Sequence, residues 1–92
     1  MPVSASSVQV GEYFITSSGQ LRKVTQLDQD GKGRGRVYYL SKSANITNQS
    51  FHPGHSVSNP PLLENFANDC AKLLSNADVV AFRSNNIILP GE

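Results

Sequence analysis

The chain has no tryptophan, one cysteine and one methionine, and only 16% of its residues carry charge. A lone Cys70 excludes an internal disulfide and any multi-cysteine zinc cluster. The formal net charge of +1 lacks the basic excess of a dedicated nucleic-acid or membrane-surface protein. No apolar run approaches the roughly 18 residues of a membrane helix. The opening Met1 to Ser7 has neither a basic start nor an apolar stretch, so no secretory signal is expected and a cytoplasmic setting is. Asn45-Ile46-Thr47 and Asn48-Gln49-Ser50 match the glycosylation pattern, and in that setting they are chance matches.

What is present fits one small domain. The chain has 92 residues, 38% of them hydrophobic, and divides into a flexible tail over 1–7 and a single α+β domain over 8–92. A domain of this size buries only about 60–65% of its unfolded surface, so its margin of stability is thin. Twelve serines, eight asparagines and five glutamines give a polar, weakly charged exterior with little self-repulsion. Self-association as a homodimer is the expectation.

Glu12-Tyr13-Phe14-Ile15-Thr16 is rich in aromatic and β-branched residues and reads as the first strand. Ser17-Ser18-Gly19-Gln20 supplies a turn, because Gly19 can take a positive φ. Leu21 to Leu27 is the return strand, although Leu21, Val24 and Leu27 also fit a helical spacing. Asp28 to Gly35 carries three glycines at alternate positions and forms a long hairpin loop, followed by a strand over Arg36 to Ser41. A weaker strand is expected within Ile46 to Phe51, broken by Pro53-Gly54.

Asn59-Pro60-Pro61 offers an N-cap and first-turn prolines to a following helix. The apolar stripe of Leu62, Leu63, Phe66, Cys70, Leu73 and Leu74 predicts an amphipathic helix over about residues 60–75, with Phe66 and Cys70 facing the sheet. Asn76 suits the left-handed cap. Val79-Val80-Ala81-Phe82 and Ile87-Ile88-Leu89 read as two strands joined by an Asn85-Asn86 turn. Their contiguous apolar residues imply burial on both faces, by a second copy or by closure within the monomer.

Among candidate sites the basic hairpin comes first. Arg22, Lys23, Lys32, Arg34, Arg36 and Lys42 stand against Asp28 and Asp30, a local net charge of +4. Beside Tyr13, Tyr38 and Tyr39 such a hairpin can hold phosphates and stack bases, with Arg22, Lys23, Lys32, Arg34, Arg36 and Tyr38 as contact residues. The competing account is a solvated hairpin whose cations keep an edge strand soluble. The run Gly31-Lys32-Gly33-Arg34-Gly35 has neither the dinucleotide fingerprint nor the Gly-Lys-Ser/Thr end of a P-loop, so no nucleotide cofactor is expected. His52 and His55 are weak metal candidates, since Pro53-Gly54 between them marks a surface turn and a third ligand has to come from Asp69 or Cys70. Cys70 lies on the apolar stripe, where a thiol acts as a small hydrophobe. Cys70 with His55 has the residue types of a nucleophile and its base, but no supporting spacing.

Val10-Gly11-Glu12-Tyr13-Phe14, Gly19, Arg22-Lys23-Val24 and Arg36-Val37-Tyr38-Tyr39 together resemble the opening of small SH3-like or Tudor-like barrels over about residues 8–51. The same rhythm resembles short bacterial proteins carried by phages, plasmids and integron cassettes. One plasmid-borne family of this barrel type is a dihydrofolate reductase with its site at a tetramer centre; its site-lining motif does not occur in this chain. The expected fold is α+β, a strongly bent antiparallel sheet or SH3-like open barrel of five to six short strands with one C-terminal amphipathic helix. The leading functional expectation is a self-associating, non-enzymatic binding or adaptor module whose ligand the sequence does not name, with a homodimer and a nucleic-acid or protein partner in view and neither membrane nor cofactor. Nucleic-acid binding through the hairpin ranks second, and a mobile-element accessory enzyme with its site at an oligomer interface ranks third.

Overall fold

In the computed structural model, which describes residues 3–53 and 60–92, a five-stranded antiparallel sheet carries one helix against each face. After a single 3-10 turn at Ala5–Ser7 come β1 (Tyr13–Thr16), β2 (Gln20–Gln29), β3 (Gly35–Ser43) and β4 (His52–Pro53). Then follow α1 (Leu63–Asp69), β5 (Cys70–Leu73) and α2 (Asn76–Ser84). The strand order is β4-β3-β2-β1-β5, and the sheet stays open. The architecture is the small α+β fold that the sequence leads one to expect, with two helices where the sequence suggests one. No helix among the described residues is long and apolar enough to cross a membrane.

The first three strands form where β-branched and aromatic residues cluster, and glycine decides the turns. Gly19 takes φ +88° between β1 and β2, and its N–H donates to the Thr16 carbonyl at 3.0 Å. Between β2 and β3 the chain turns at residues 30–34, where Gly33 takes φ +77°. One extra residue, Thr25, interrupts the β2–β3 ladder between the Val24↔Tyr39 and Gln26↔Tyr38 pairs. A bulge of this kind switches which residues of one strand look to a given face.

Both faces of the sheet are covered. Phe14, Val24, Val37 and Tyr39 point to one side and pack with Val8, Phe66, Ala67 and Cys70. Phe66 is fully buried, edge-on to Phe14 at 5.6 Å and tilted against Tyr39 at 5.0 Å. Tyr13 and Leu21 point to the other side, with Ala44, Phe51, Leu74 and Ile88. Val79, Phe82 and Ile87 pack against this second cluster. Ile88 is thus buried by the monomer's own sheet, with Val79, Phe82 and Ile87 partly buried beside it, while Val80 stays 61% exposed.

Four local expectations are corrected. The helix stops at Asp69, and Cys70–Leu73 is a strand paired with β1 through Thr16↔Cys70, Ile15↔Lys72 and Phe14↔Leu73. Helical periodicity loses here because β1 would otherwise leave a row of backbone groups unpaired. As a strand end, the segment also sends Leu73 and Leu74 to opposite clusters. Val79 to Phe82, expected as a strand, lies in α2, which a reciprocal cap starts: Ser75 Oγ accepts from Asp78 N at 3.2 Å and Asp78 Oδ2 accepts from Ser75 N at 3.1 Å. Asn76 is accordingly the first residue of α2 rather than a helix end. Asn86 does take the left-handed conformation, φ +59°, but it ends α2, with Ile87 N–H donating to Phe82 O and Asn86 N–H to Arg83 O. The weak strand within Ile46 to Phe51 is absent; only His52–Pro53 pairs, with Leu40 and Ser41.

Removing the Phe66 ring empties the contact between Phe14 and Tyr39. Phe66→Ala is expected to cost about 3–5 kcal/mol, against a total stability of about 5–10 kcal/mol for a domain of this size. Thermal and urea melts check this, and a variant that melts with the wild type contradicts it.

Candidate functional site

The hairpin that carries the basic residues extends beyond the covered part of the sheet. Residues Thr25 to Gln29 of β2 are all exposed. The tip is held by one carboxylate. Asp30 Oδ1 accepts from the backbone N–H of Lys32 at 2.9 Å and of Arg34 at 3.0 Å. Asp30 Oδ2 accepts from Arg34 Nε at 3.0 Å, Arg36 Nε at 3.2 Å and Arg36 Nη2 at 3.0 Å. Partial burial pushes the Asp30 carboxyl up, but these backbone and guanidinium donors outweigh it and hold the group well below the usual carboxylate range. Arg36 Nη1 also donates to Pro60 O at 2.8 Å, tying the hairpin to the segment before α1.

The six expected contact residues do not form one surface. Arg22 lies on the α1 side, its guanidinium 4.7 Å from the Tyr39 ring centre and 5.4 Å from that of Phe66. Its Nε donates to Gln20 Oε1 at 2.7 Å, and only 13% of its side chain is exposed. Arg22 is therefore a packing residue. Lys23, Arg36 and Tyr38 point to the opposite face by strand alternation, with Lys23 Nζ 5.4 Å from the Tyr13 ring centre. Lys32 and Arg34 sit at the tip. Among the described residues no carboxylate pairs with the Lys32 side chain. Arg34 keeps its two terminal nitrogens outside the Asp30 contact and is half exposed. Lys42 is buried, and its ammonium donates to Gln49 O at 2.6 Å and to Ile87 O. It fastens a loop and the C-terminal segment to β3. Sequence reasoning missed this role, although Lys42 shares the face of Leu40 and follows it by two.

Between the turn end of the hairpin and the start of α1 lies a cleft of about 240 Å³ lined by Ala5, Arg34, Gly35, Leu62, Leu63 and Glu64. Its volume is below the roughly 300–1,000 Å³ of typical small-molecule sites. A Cβ on Gly35 would come within 3.2 Å of Leu63 Cβ, so glycine lets α1 approach β3 there. His52 is exposed on β4, and His55 lies outside the described residues. Among the described residues no cluster of three or more His, Cys, Asp or Glu could hold a metal. Cys70 is 1% exposed, and burial pushes its thiol up to about 11 against the pull of Arg22, so it stays protonated at neutral pH. Protein-family models, curated proteins and solved structures were compared with the chain, and none matches.

The Asp30 clasp has a definite pH dependence. Its carboxyl is depressed in the folded state, so its contribution is complete above an unfolded value of about 3.9 and is lost as pH falls below it. Amide resonances of Lys32 and Arg34 followed from neutral pH downward should hold steady through pH 4 and move only in stronger acid. Midpoints at an ordinary aspartate value contradict the clasp.

Proposed function

We propose that this protein is a small non-enzymatic binding module whose contact element is the β2–β3 hairpin with the cleft beside its tip. The observation that carries this reading is the Asp30 clasp: five hydrogen bonds to one carboxylate order a glycine-rich tip that lies outside both apolar clusters. An ordered projecting tip loses less conformational freedom on binding than a loose one. Self-association belongs to the same reading. Since Val79, Phe82, Ile87 and Ile88 already pack on the monomer's own sheet, these side chains do not call for a second copy. A cytoplasmic setting accords with the single cysteine being a free, buried thiol.

A nucleic acid is the second reading of the partner, favoured by Lys32 and Arg34 at the tip with Lys23 and Tyr38 on one face behind them. Its strength is bounded by the cations already engaged, since Arg22, Arg36 and Lys42 are held inside the fold. Three phosphate contacts give a slope of log K against log salt of about −2.7 on duplex DNA, where six would give about −5.4.

Titrating the ¹⁵N-labelled protein at low salt with single- and double-stranded oligonucleotides and with an acidic peptide tests both readings. Shifts confined to the hairpin and cleft are expected, and for an oligonucleotide the shallower salt slope. No shift with any probe at millimolar concentration, or shifts centred away from the hairpin, contradicts the proposal.

A further inference from the structure

The hairpin has an edge as well as a tip. β1 covers β2 only as far as Val24, whose N–H donates to Glu12 O at 3.1 Å and whose carbonyl accepts from Gly11 N at 2.9 Å. Beyond it Thr25 to Gln29 have no neighbouring strand on that side among the described residues. The hairpin-closing bond from Asp30 N to Arg34 O sets the phase of the ladder, so residues 28 and 26 bond to β3 while Leu27 and Gln29 turn their backbone groups outward. Val37, directly opposite Leu27, confirms that phase: its N–H points away from β2 and donates to Pro61 O at 3.0 Å. The outward Gln29 N–H is taken by Asp28 Oδ1 at 2.8 Å. The Leu27 N–H and carbonyl have no partner among the described residues, and its side chain is 39% exposed.

The ends of the sheet are defended. β4 is two residues long and contains a proline. β5 is irregular where it meets β1, presents Lys72, and gives its Cys70 carbonyl to Val3 N at 3.2 Å. Thr25 to Gln29 carry neither lysine nor proline.

We infer that this edge pairs with the same edge of a second copy, antiparallel about a two-fold axis at Leu27. In that register Leu27 meets Leu27 of the second copy, Gln26 meets Asp28, and Thr25 meets Gln29. Each Leu27 exchanges both outward backbone bonds with its counterpart, and the two exposed leucines come to lie side by side. No like charges stand directly opposite one another. Val24, already occupied by β1, falls opposite Asp30, where the hairpin turns back, so the pairing spans the whole free edge and stops where it stops. An extended peptide could use the same backbone groups, but the matched length, central leucine and absence of opposed charge favour the segment itself. Five residues a side make a contact smaller than the roughly 1,200–2,000 Å² of stable complexes, so association is concentration-dependent. This inference is independent of what the tip binds: the oligonucleotide titration reads the tip, and the oligomeric state reads the edge.

Sedimentation of the full chain from low to high micromolar tests it. The mass should rise from 10.0 kDa toward twice that value as concentration increases. Leu27→Pro removes an outward N–H and no ladder bond, so it should stay at 10.0 kDa while its circular dichroism remains that of the wild type. Leu27→Lys leaves the backbone intact, sets two ammoniums face to face, and should also remain monomeric. A wild-type chain that stays at 10.0 kDa throughout overturns the inference, as do two folded variants that associate like the wild type. A monomer whose Leu27 amide shifts on adding an extended peptide overturns it too, and gives the edge to a foreign strand.

Discussion

A five-stranded sheet has two faces, and 92 residues have to cover both. β1 and β2 carry this constraint, because adjacent residues on them serve opposite clusters: Tyr13 and Leu21 on one side, Phe14 and Val24 on the other. The four side chains are at most 7% exposed. Each layer alone is small. Coupling through the same two strands makes them one core, and it explains why the chain after β3 divides its apolar residues between α1 on one face and α2 with Ile88 on the other. Material for covering the sheet then runs out, and Thr25 to Gln29 of β2, with the hairpin tip, lie beyond both layers.

That distribution decides what the charges do. Cations near the covered half become structural: Arg22 lies on Tyr39 and Phe66, and Lys42 donates to two carbonyls from segments that would otherwise be loosely attached. Arg36 is shared between Asp30 and Pro60. The local excess of positive charge is therefore much smaller at the surface than in the sequence. What remains at the tip is Lys32 and the outer nitrogens of Arg34, beside an aspartate that orders the loop. The binding proposal rests on that order more than on charge.

The hairpin half of the fold is legible in the sequence because its signals are local. Gly19 and the glycines after Asp30 mark turns that nothing distant has to confirm, and the aromatic and β-branched runs between them match strands. The stripe through Phe66 and Cys70 also names core residues correctly. It misnames the structure of Cys70 to Leu73, which is decided by the hydrogen-bonding need of β1, far away in sequence. The α2 error is different in kind. Ser75-Asn76-Ala77-Asp78 is a readable helix start, outweighed in a sequence reading by the β-branched Val79 and Val80. Of the candidate site, the Asp30 clasp is locally encoded, and strand alternation already sends the adjacent Arg22 and Lys23 to opposite faces; what the sequence hides is that Arg22, Arg36 and Lys42 are drawn into the fold by partners distant in sequence.

Native-state hydrogen exchange tests the claim of one core shared through β1 and β2 most directly. The amide of Phe66 in α1, bonded to Leu62 O at 2.9 Å, and that of Ile88, bonded to Phe82 O at 3.2 Å, report on opposite faces. If the layers are one cooperative unit, both amides exchange with the same free energy, equal to that of global unfolding. An Ile88 amide that opens well below Phe66, with β1 and β2 still protected, would contradict the account.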